Sequence, residues 1–220
     1  MKLLLTSSGI TNKTIAKALL DLVGKKAEDI TLAFIPTAVN AARGDKGWFI
    51  DNLYEIKQQN YKFIDIVDIS ALPKEIWQPK IAAADILIFS GGVPSHLMRW
   101  VSESGLKDLL PELLKTKVYV GISAGSIIMS PTLKLASEAH KIFYKEKFGY
   151  DKNEGLGYID FYIRPHFNSP DKPESQEKFL TEFAKTIPEV LYALDDQMAV
   201  KVVDGKAEVI GEGDYLVFNK

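Results

Sequence analysis

The chemistry of this chain is written most plainly in Tyr119-Val120-Gly121-Ile122-Ser123-Ala124-Gly125-Ser126-Ile127-Ile128. An apolar run leads into Gly-x-Ser-x-Gly and another follows, the strand–turn–helix context that presents a serine at a sharp bend. Small residues two before and two after the serine keep neighbouring side chains from colliding across that bend. A helix starting at Ala124 would aim its free N–H groups and positive end at a developing oxyanion. The same turn could instead serve packing or hold a phosphate, so a nucleophilic role for Ser123 requires partners.

A serine hydroxyl attacks only when a base takes its proton. The chain offers three histidines, His96, His140 and His166. His166 stands in Tyr162-Ile163-Arg164-Pro165-His166-Phe167-Asn168, in a loop just past a strand-like run ended by proline, where catalytic groups commonly sit. His96, which follows Ser90-Gly91-Gly92, is the second choice, and His140 in a polar stretch reads as solvated. An acid should hold the tautomer of the base. Glu138 lies between serine and histidine, while Asp195 and Asp196 follow a late strand; spacing does not choose among them. In Ser90-Gly91-Gly92-Val93-Pro94 the glycines let backbone approach a ligand, and Pro94 suits the first turn of a helix. A Gly91 or Gly92 N–H could join that of Ala124 in an oxyanion hole.

The elements that must position these residues alternate. Leu3–Leu5, Thr31–Pro36, Phe63–Val67, Ile86–Phe89 and Val118–Val120 read as strands. Helical patterns run through Ile15, Leu19, Leu20 and Val23, over 46–59, and over 106–114. Strands without strict alternation, interleaved with helices, predict an α/β fold: a doubly wound, mostly parallel sheet covered on both faces. After residue 130 the pattern changes. Pro131–Asn153 reads as polar and irregular, with residues 140–153 open as a lid; Leu156–Ile163 reads as a strand and Pro173–Lys185 as a helix. Ala199–Val203, Ala207–Ile210 and Tyr215–Phe218 read as antiparallel strands, the first two joined at Asp204-Gly205.

The 220 residues suit a single domain, 1–220, with a substantial core. A net charge of −2 gives no electrostatic reason for a nucleic-acid or membrane-surface partner. With no cysteine, disulfides, thiolate catalysis and Cys-ligated zinc are excluded, and three scattered histidines make no metal set. Met1–Leu5 is too short an apolar run for a signal peptide, and no run approaches the roughly 20 residues of a membrane helix. The expectation is a soluble, cytoplasmic protein, with a homodimer left open.

Taken in order, the Ser-Gly-Gly turn, Gly121-Ile122-Ser123-Ala124-Gly125-Ser126, Pro131 and Pro165-His166-Phe167-Asn168 resemble the S51 serine peptidases, which include aspartyl dipeptidase (dipeptidase E) and cyanophycinase. The resemblance spans essentially the whole chain. It implies a sheet related to class I glutamine amidotransferases, with serine in place of their elbow cysteine. It places the nucleophile at Ser123, the base at His166, the acid at Glu138, and the oxyanion N–H groups at Ala124 and the glycine pair, with Gly92 preferred over Gly91. It also implies acyl-enzyme hydrolysis of small peptides without metal or cofactor. An N-terminal Asp-X dipeptide would need a cation for its carboxylate, for which Arg164 and Arg99 are candidates. This chain has Gly91-Gly92-Val93-Pro94-Ser95 where the family often reads Gly-Gly-Asn-Thr-Phe, which sets the Asp-X preference apart from the catalytic apparatus. Two rivals remain. One is an esterase of the α/β-hydrolase type, against which the spacing of only 43 positions between Ser123 and His166 counts. The other is a binding protein that keeps the fold without catalysis.

Overall fold

Strand β1 (Lys2–Thr6) is apolar on both faces, and that fixes where it lies. Leu3 and Leu5 are buried in one hydrophobic cluster and Leu4 in another, so the strand must run through the middle of a sheet covered on both sides. The computed structural model, which describes residues 1–220, places it there. The main sheet has seven strands in the order β3-β2-β4-β5-β1-β8-β9. Five are parallel: β2 (Thr31–Ile35), β3 (Phe63–Ile66), β4 (Ile86–Phe89), β5 (Val118–Ile122) and β1. The strands β8 (Met198–Val203) and β9 (Lys206–Gly211) add an antiparallel edge. Asp204 and Gly205, both at positive φ, make the tight turn between them.

Helices α1 (Lys13–Val23) and α3 (Gly47–Gln58) cover one face through Ile15, Leu19, Leu22 and Ile56. Asn12 caps α1 by accepting from Ile15 N–H. The short α2 (Thr37–Asn40) follows the end of β2. The other face carries α4 (Lys74–Ala83), α5 (Pro94–Glu103), α6 (Leu106–Leu113) and the short α7 (Ala124–Ile127). Trp77, Ile81, Leu97, Val101, Leu106 and Leu110 bury that side.

A second sheet, ordered β10-β7-β6, consists of β6 (Tyr162–Pro165), β7 (Leu191–Leu194) and β10 (Tyr215–Phe218). Strands β6 and β7 pair in parallel, and β10 pairs antiparallel to β7. Helix α9 (Glu177–Ala184) packs in this sheet's cluster through Leu180 and Ala184, whereas α8 (Glu138–Phe148) lies against α5, its buried Tyr144 bonded to His96. No helix is long and apolar enough to cross a membrane.

Several expected elements differ. Residues 131–153 are not irregular throughout, because α8 occupies most of 140–153; only Tyr144 of that helix is buried, so it lacks a strong apolar stripe. Residues 156–161 are not a strand: Leu156 and Tyr158 N–H groups donate to Ile128 and Met129 carbonyls, closing the end of α7 instead of a ladder. The 173–185 segment splits into a short 3₁₀ turn and α9. Tyr215–Phe218 leaves its hairpin neighbours to join the second sheet.

Because β1 is sealed on both faces, Leu4→Ala should cost about 2–5 kcal/mol. Urea unfolding would show this as a lowered midpoint at unchanged slope, and a loss below about 1 kcal/mol would contradict that sealing.

Candidate active site

Ser123 follows β5 directly and sits at φ 46°, ψ −98°, a backbone conformation that non-glycine residues rarely adopt. Its surroundings hold it there. Ser123 N–H donates to the Thr6 carbonyl at 3.0 Å. Ser126 Oγ donates to the same carbonyl at 2.8 Å and to that of Gly121 at 2.9 Å, while Thr6 Oγ1 also reaches the Gly121 carbonyl at 2.8 Å. A Cβ at Gly121 would overlap the Gly125–Ser126 backbone, and one at Gly125 would overlap the Phe89 carbonyl. The two glycines are therefore steric requirements of the bend.

His166 comes from the end of β6. Its Nε2 lies 3.0 Å from Ser123 Oγ, and its Nδ1 lies 2.6 Å from Asp196 Oδ1. That arrangement assigns the ring proton to Nδ1, donating to the carboxylate, and leaves Nε2 free to accept from the serine. His166 itself has φ 60°. Ser7, fully buried at the end of β1, secures this corner: its Oγ accepts the His166 N–H at 2.8 Å and donates to Asp196 Oδ1 at 3.0 Å. Burial alone would push the Asp196 carboxyl upward. The hydrogen bond and charge of His166, the Ser7 hydroxyl and the nearby Lys172 outweigh it and hold the carboxyl below the usual carboxylate range.

The acid facing His166 is thus Asp196, whereas Glu138 had been expected there. Glu138 is exposed on the first turn of α8 and pairs with Lys141 at 2.6 Å, a surface i,i+3 contact. Asp195 has a different task, accepting from Gln197 and Asp214 N–H groups to shape the turn between β7 and β8. His96 is buried and bonded through Nδ1 to the Tyr144 hydroxyl at 2.9 Å, away from the serine.

Ser123 and His166 open into a cleft of about 440 Å³ at the carboxyl ends of β1, β4 and β5. Gly91 and Gly92 line it, and neither N–H has an acceptor within the chain. A Cβ on Gly91 would lie 3.6 Å from Ser123 Cβ, which puts this backbone beside the serine. Gly92 has φ 130°, and a Cβ there would overlap the Ala38 carbonyl. The Ala124 N–H, first of α7, is likewise without a partner.

The proposed substrate cations fare differently. Arg164 borders the cleft but is only 6% exposed, and its guanidinium is committed to Ser175 Oγ, the Leu135 carbonyl and Glu174. Arg99 lies outside the cleft and pairs with Glu103 along α5. The cleft-lining cations that sequence reasoning missed are Arg43 and Lys172. His140, expected to be solvated, also lines the cleft. Ser7 was missed as well; its position at the carboxyl end of a central strand was the available signal.

A mostly parallel sheet with a serine elbow and a histidine beside it defines a hydrolase of the serine type. The profile of peptidase family S51 matches residues 3–210, and the chain belongs to that family: it is a peptidase. It is 24% identical over 192 residues to the uncharacterised peptidase PM1590 of Pasteurella multocida, covering 87% of this chain and 89% of that one. It is 28% identical over 198 residues to Peptidase E of the same organism, covering 86% and 79% of the two chains. A crystal structure of a Listeria monocytogenes protein described as a candidate peptidase E shares the fold with TM-score 0.76 at 21% identity, over 96% of this chain and 98% of that one. So does a peptidase from an acI-B1 actinobacterium, with TM-score 0.68 at 20% identity, over 99% and 90%.

A lowered carboxyl pKa makes a prediction with a definite sign. The unfolded chain binds the Asp196 proton at higher pH than the folded one, so this group's contribution to stability is complete above the ordinary carboxylate value and is lost as pH falls toward the lowered one. Urea unfolding from about pH 6 to about pH 3 should therefore show a shallower decline in Asp196→Asn than in wild type. Parallel declines would refute the pairing.

Proposed function

We propose that the chain hydrolyses short peptides, N-terminal Asp-X dipeptides among them, through an acyl-enzyme on Ser123, and that it works in the cytoplasm. The observation that carries this reading is the 3.0 Å approach of Ser123 Oγ to His166 Nε2, with Nδ1 of the same ring on Asp196. His166 takes the hydroxyl proton as Ser123 Oγ bonds to the peptide carbonyl carbon. The oxyanion is received by the unpartnered N–H groups of Ala124 and of Gly91 or Gly92. His166 then gives its proton to the leaving nitrogen as the C–N bond breaks. Water attacks the ester, its proton passes to His166 Nε2, and Ser123 Oγ leaves and recovers that proton. Asp196 keeps the ring oriented and stabilises the imidazolium, the part earlier expected of Glu138.

The order serine, histidine, aspartate along the chain also speaks against the esterase rival, whose fold places its acid before its histidine. The strained backbone of Ser123 is a further support, since such strain persists where function uses it.

Fluorophosphonate labelling read by intact mass should give one adduct on wild type and none on Ser123→Ala or His166→Ala. A folded wild type that takes no label would sink the proposal. With a hydrolysed dipeptide in hand, Asp196→Asn should lower kcat by about 10,000-fold. Glu138→Gln should stay within about twofold of wild type; the reverse ranking would restore Glu138 as the acid.

A further inference from the structure

The cleft walls are unbalanced in charge. Arg43, Arg164 and Lys172 line it, and Asp196 is its only lining carboxylate. Arg164 is satisfied by its own partners, Glu174 included. Arg43, Lys172 and His140 are not: no side-chain hydrogen bond or ion pair engages any of the three. The Arg43 guanidinium instead rests on the Phe143 ring, 3.9 Å from its centroid. His140 and Phe143 are three residues apart on α8 and so share one helix face. The residue preceding α8, Ser137, approaches Glu174 at 3.4 Å, so this face is docked against the loop that carries Lys172.

Lys172 belongs to the same loop as the histidine of the site. Ser169 N–H donates to the His166 carbonyl, and Lys172 N–H donates to that of Ser169, two linked turns that keep the lysine close to His166 and within electrostatic reach of Asp196 on the cleft wall. In acyl transfer the general acid must reach the leaving nitrogen, so the leaving group occupies the side from which His166 acts. Burial pushes both the Lys172 ammonium and the His140 imidazole below their ordinary values, a cost that an anion between them would offset.

From this geometry we propose that Lys172, with His140 and Arg43, forms a carboxylate subsite that takes the free C-terminal carboxylate of the leaving amino acid. The inference rests on the reading of Ser123 and His166 as nucleophile and base. It makes the enzyme select peptides that end one residue beyond the scissile bond, since the ammonium of Lys172 meets a charged terminus only there. Lys172 acts in binding and takes no part in the bond changes.

Binding separates this inference from catalysis. Calorimetry on Ser123→Ala would use Ala-Leu and Asp-Leu, each as free acid and as C-terminal amide. The free acids should bind about 10- to 100-fold more tightly than the amides, the value of a charge-assisted contact. Adding Lys172→Met should abolish that ratio, and Lys172→Arg should preserve most of it. In proteins retaining Ser123, Lys172→Met should raise KM for the free acid with little change in kcat. It should leave fluorophosphonate labelling intact, which reports a folded and activated serine. Equal binding of acid and amide, a ratio that survives Lys172→Met, or no saturable binding of either free acid would overturn the subsite. So would a preference that follows Asp-Leu over Ala-Leu and ignores the terminus, since the carboxylate would then lie on the acyl side. Loss of labelling in wild type would instead count against the nucleophile itself, whatever the binding ratios.

Discussion

The Thr6 carbonyl is the joint on which the site is assembled. It accepts both Ser123 N–H and Ser126 Oγ, tying the end of β1 to the bend that follows β5. Without those bonds a serine at φ 46° would relax toward ordinary backbone, at a gain of about 1–3 kcal/mol, and its hydroxyl would swing from the cleft. The neighbouring residue extends the joint to the other half of the molecule, because Ser7 Oγ bonds both the His166 N–H and Asp196 Oδ1. Two consecutive residues, the last of β1 and the one after it, thus set Ser123, His166 and Asp196 relative to one another. This is possible because β1 is flanked by β5 on one side and β8 on the other, so the loops entering from both directions converge at its carboxyl end.

What could be read from the sequence follows from how local each determinant is. Ile86–Phe89 and the elbow were legible because apolar runs, glycines and their spacing act within a dozen residues. The pairing of Ser123 with His166, 3.0 Å apart, was legible by residue type, since few side chains can attack a carbonyl or take a proton near neutrality. The carboxylate beside His166 was not. Which carboxylate meets His166 depends on β8 returning antiparallel to β1, a pairing that brings Asp196 to Ser7 across 189 positions. Glu138, close to the serine along the chain, lies on an outward turn of α8 and meets Lys141. The second sheet was hidden for the same reason, because Tyr215–Phe218 reads as a hairpin partner until its pairing with Leu191–Leu194 is seen.

The arginine beside the histidine shows how burial decides between two roles for one residue type. Arg164 is adjacent to the base by spacing, yet its guanidinium bridges Ser175, Leu135 and Glu174 and so fastens the segment before α8 to the loop after His166. Burial draws its pKa down and Glu174 draws it up, the former prevailing, as for a cation kept by its partners inside a protein. Withdrawing those donors to hold a substrate would strand Glu174 and a backbone carbonyl. A structural arginine thereby fixes the wall on which unpaired cations stand.

The same logic governs the glycine turn. A polar side chain at residue 93 could contribute a contact of its own, whereas Gly91-Gly92-Val93 offers only backbone as a polar group there. The free N–H groups depend on φ 130° at Gly92 and on the close pass by Ala38, neither of which involves residue 93's side chain. Val93 is buried, its N–H bonded to the Ala38 carbonyl, so its side chain serves packing and offers the substrate nothing polar. The basic side chains without ion-pair partners stand on the other walls of the cleft: His140 on α8, Lys172 on the loop after β6 and Arg43 on the segment following α2. In this chain the loop after β6 carries both His166 and Lys172, so one wall of the cleft is tied to the joint at β1, while Arg43 and His140 stand on segments outside that joint, after α2 and on α8.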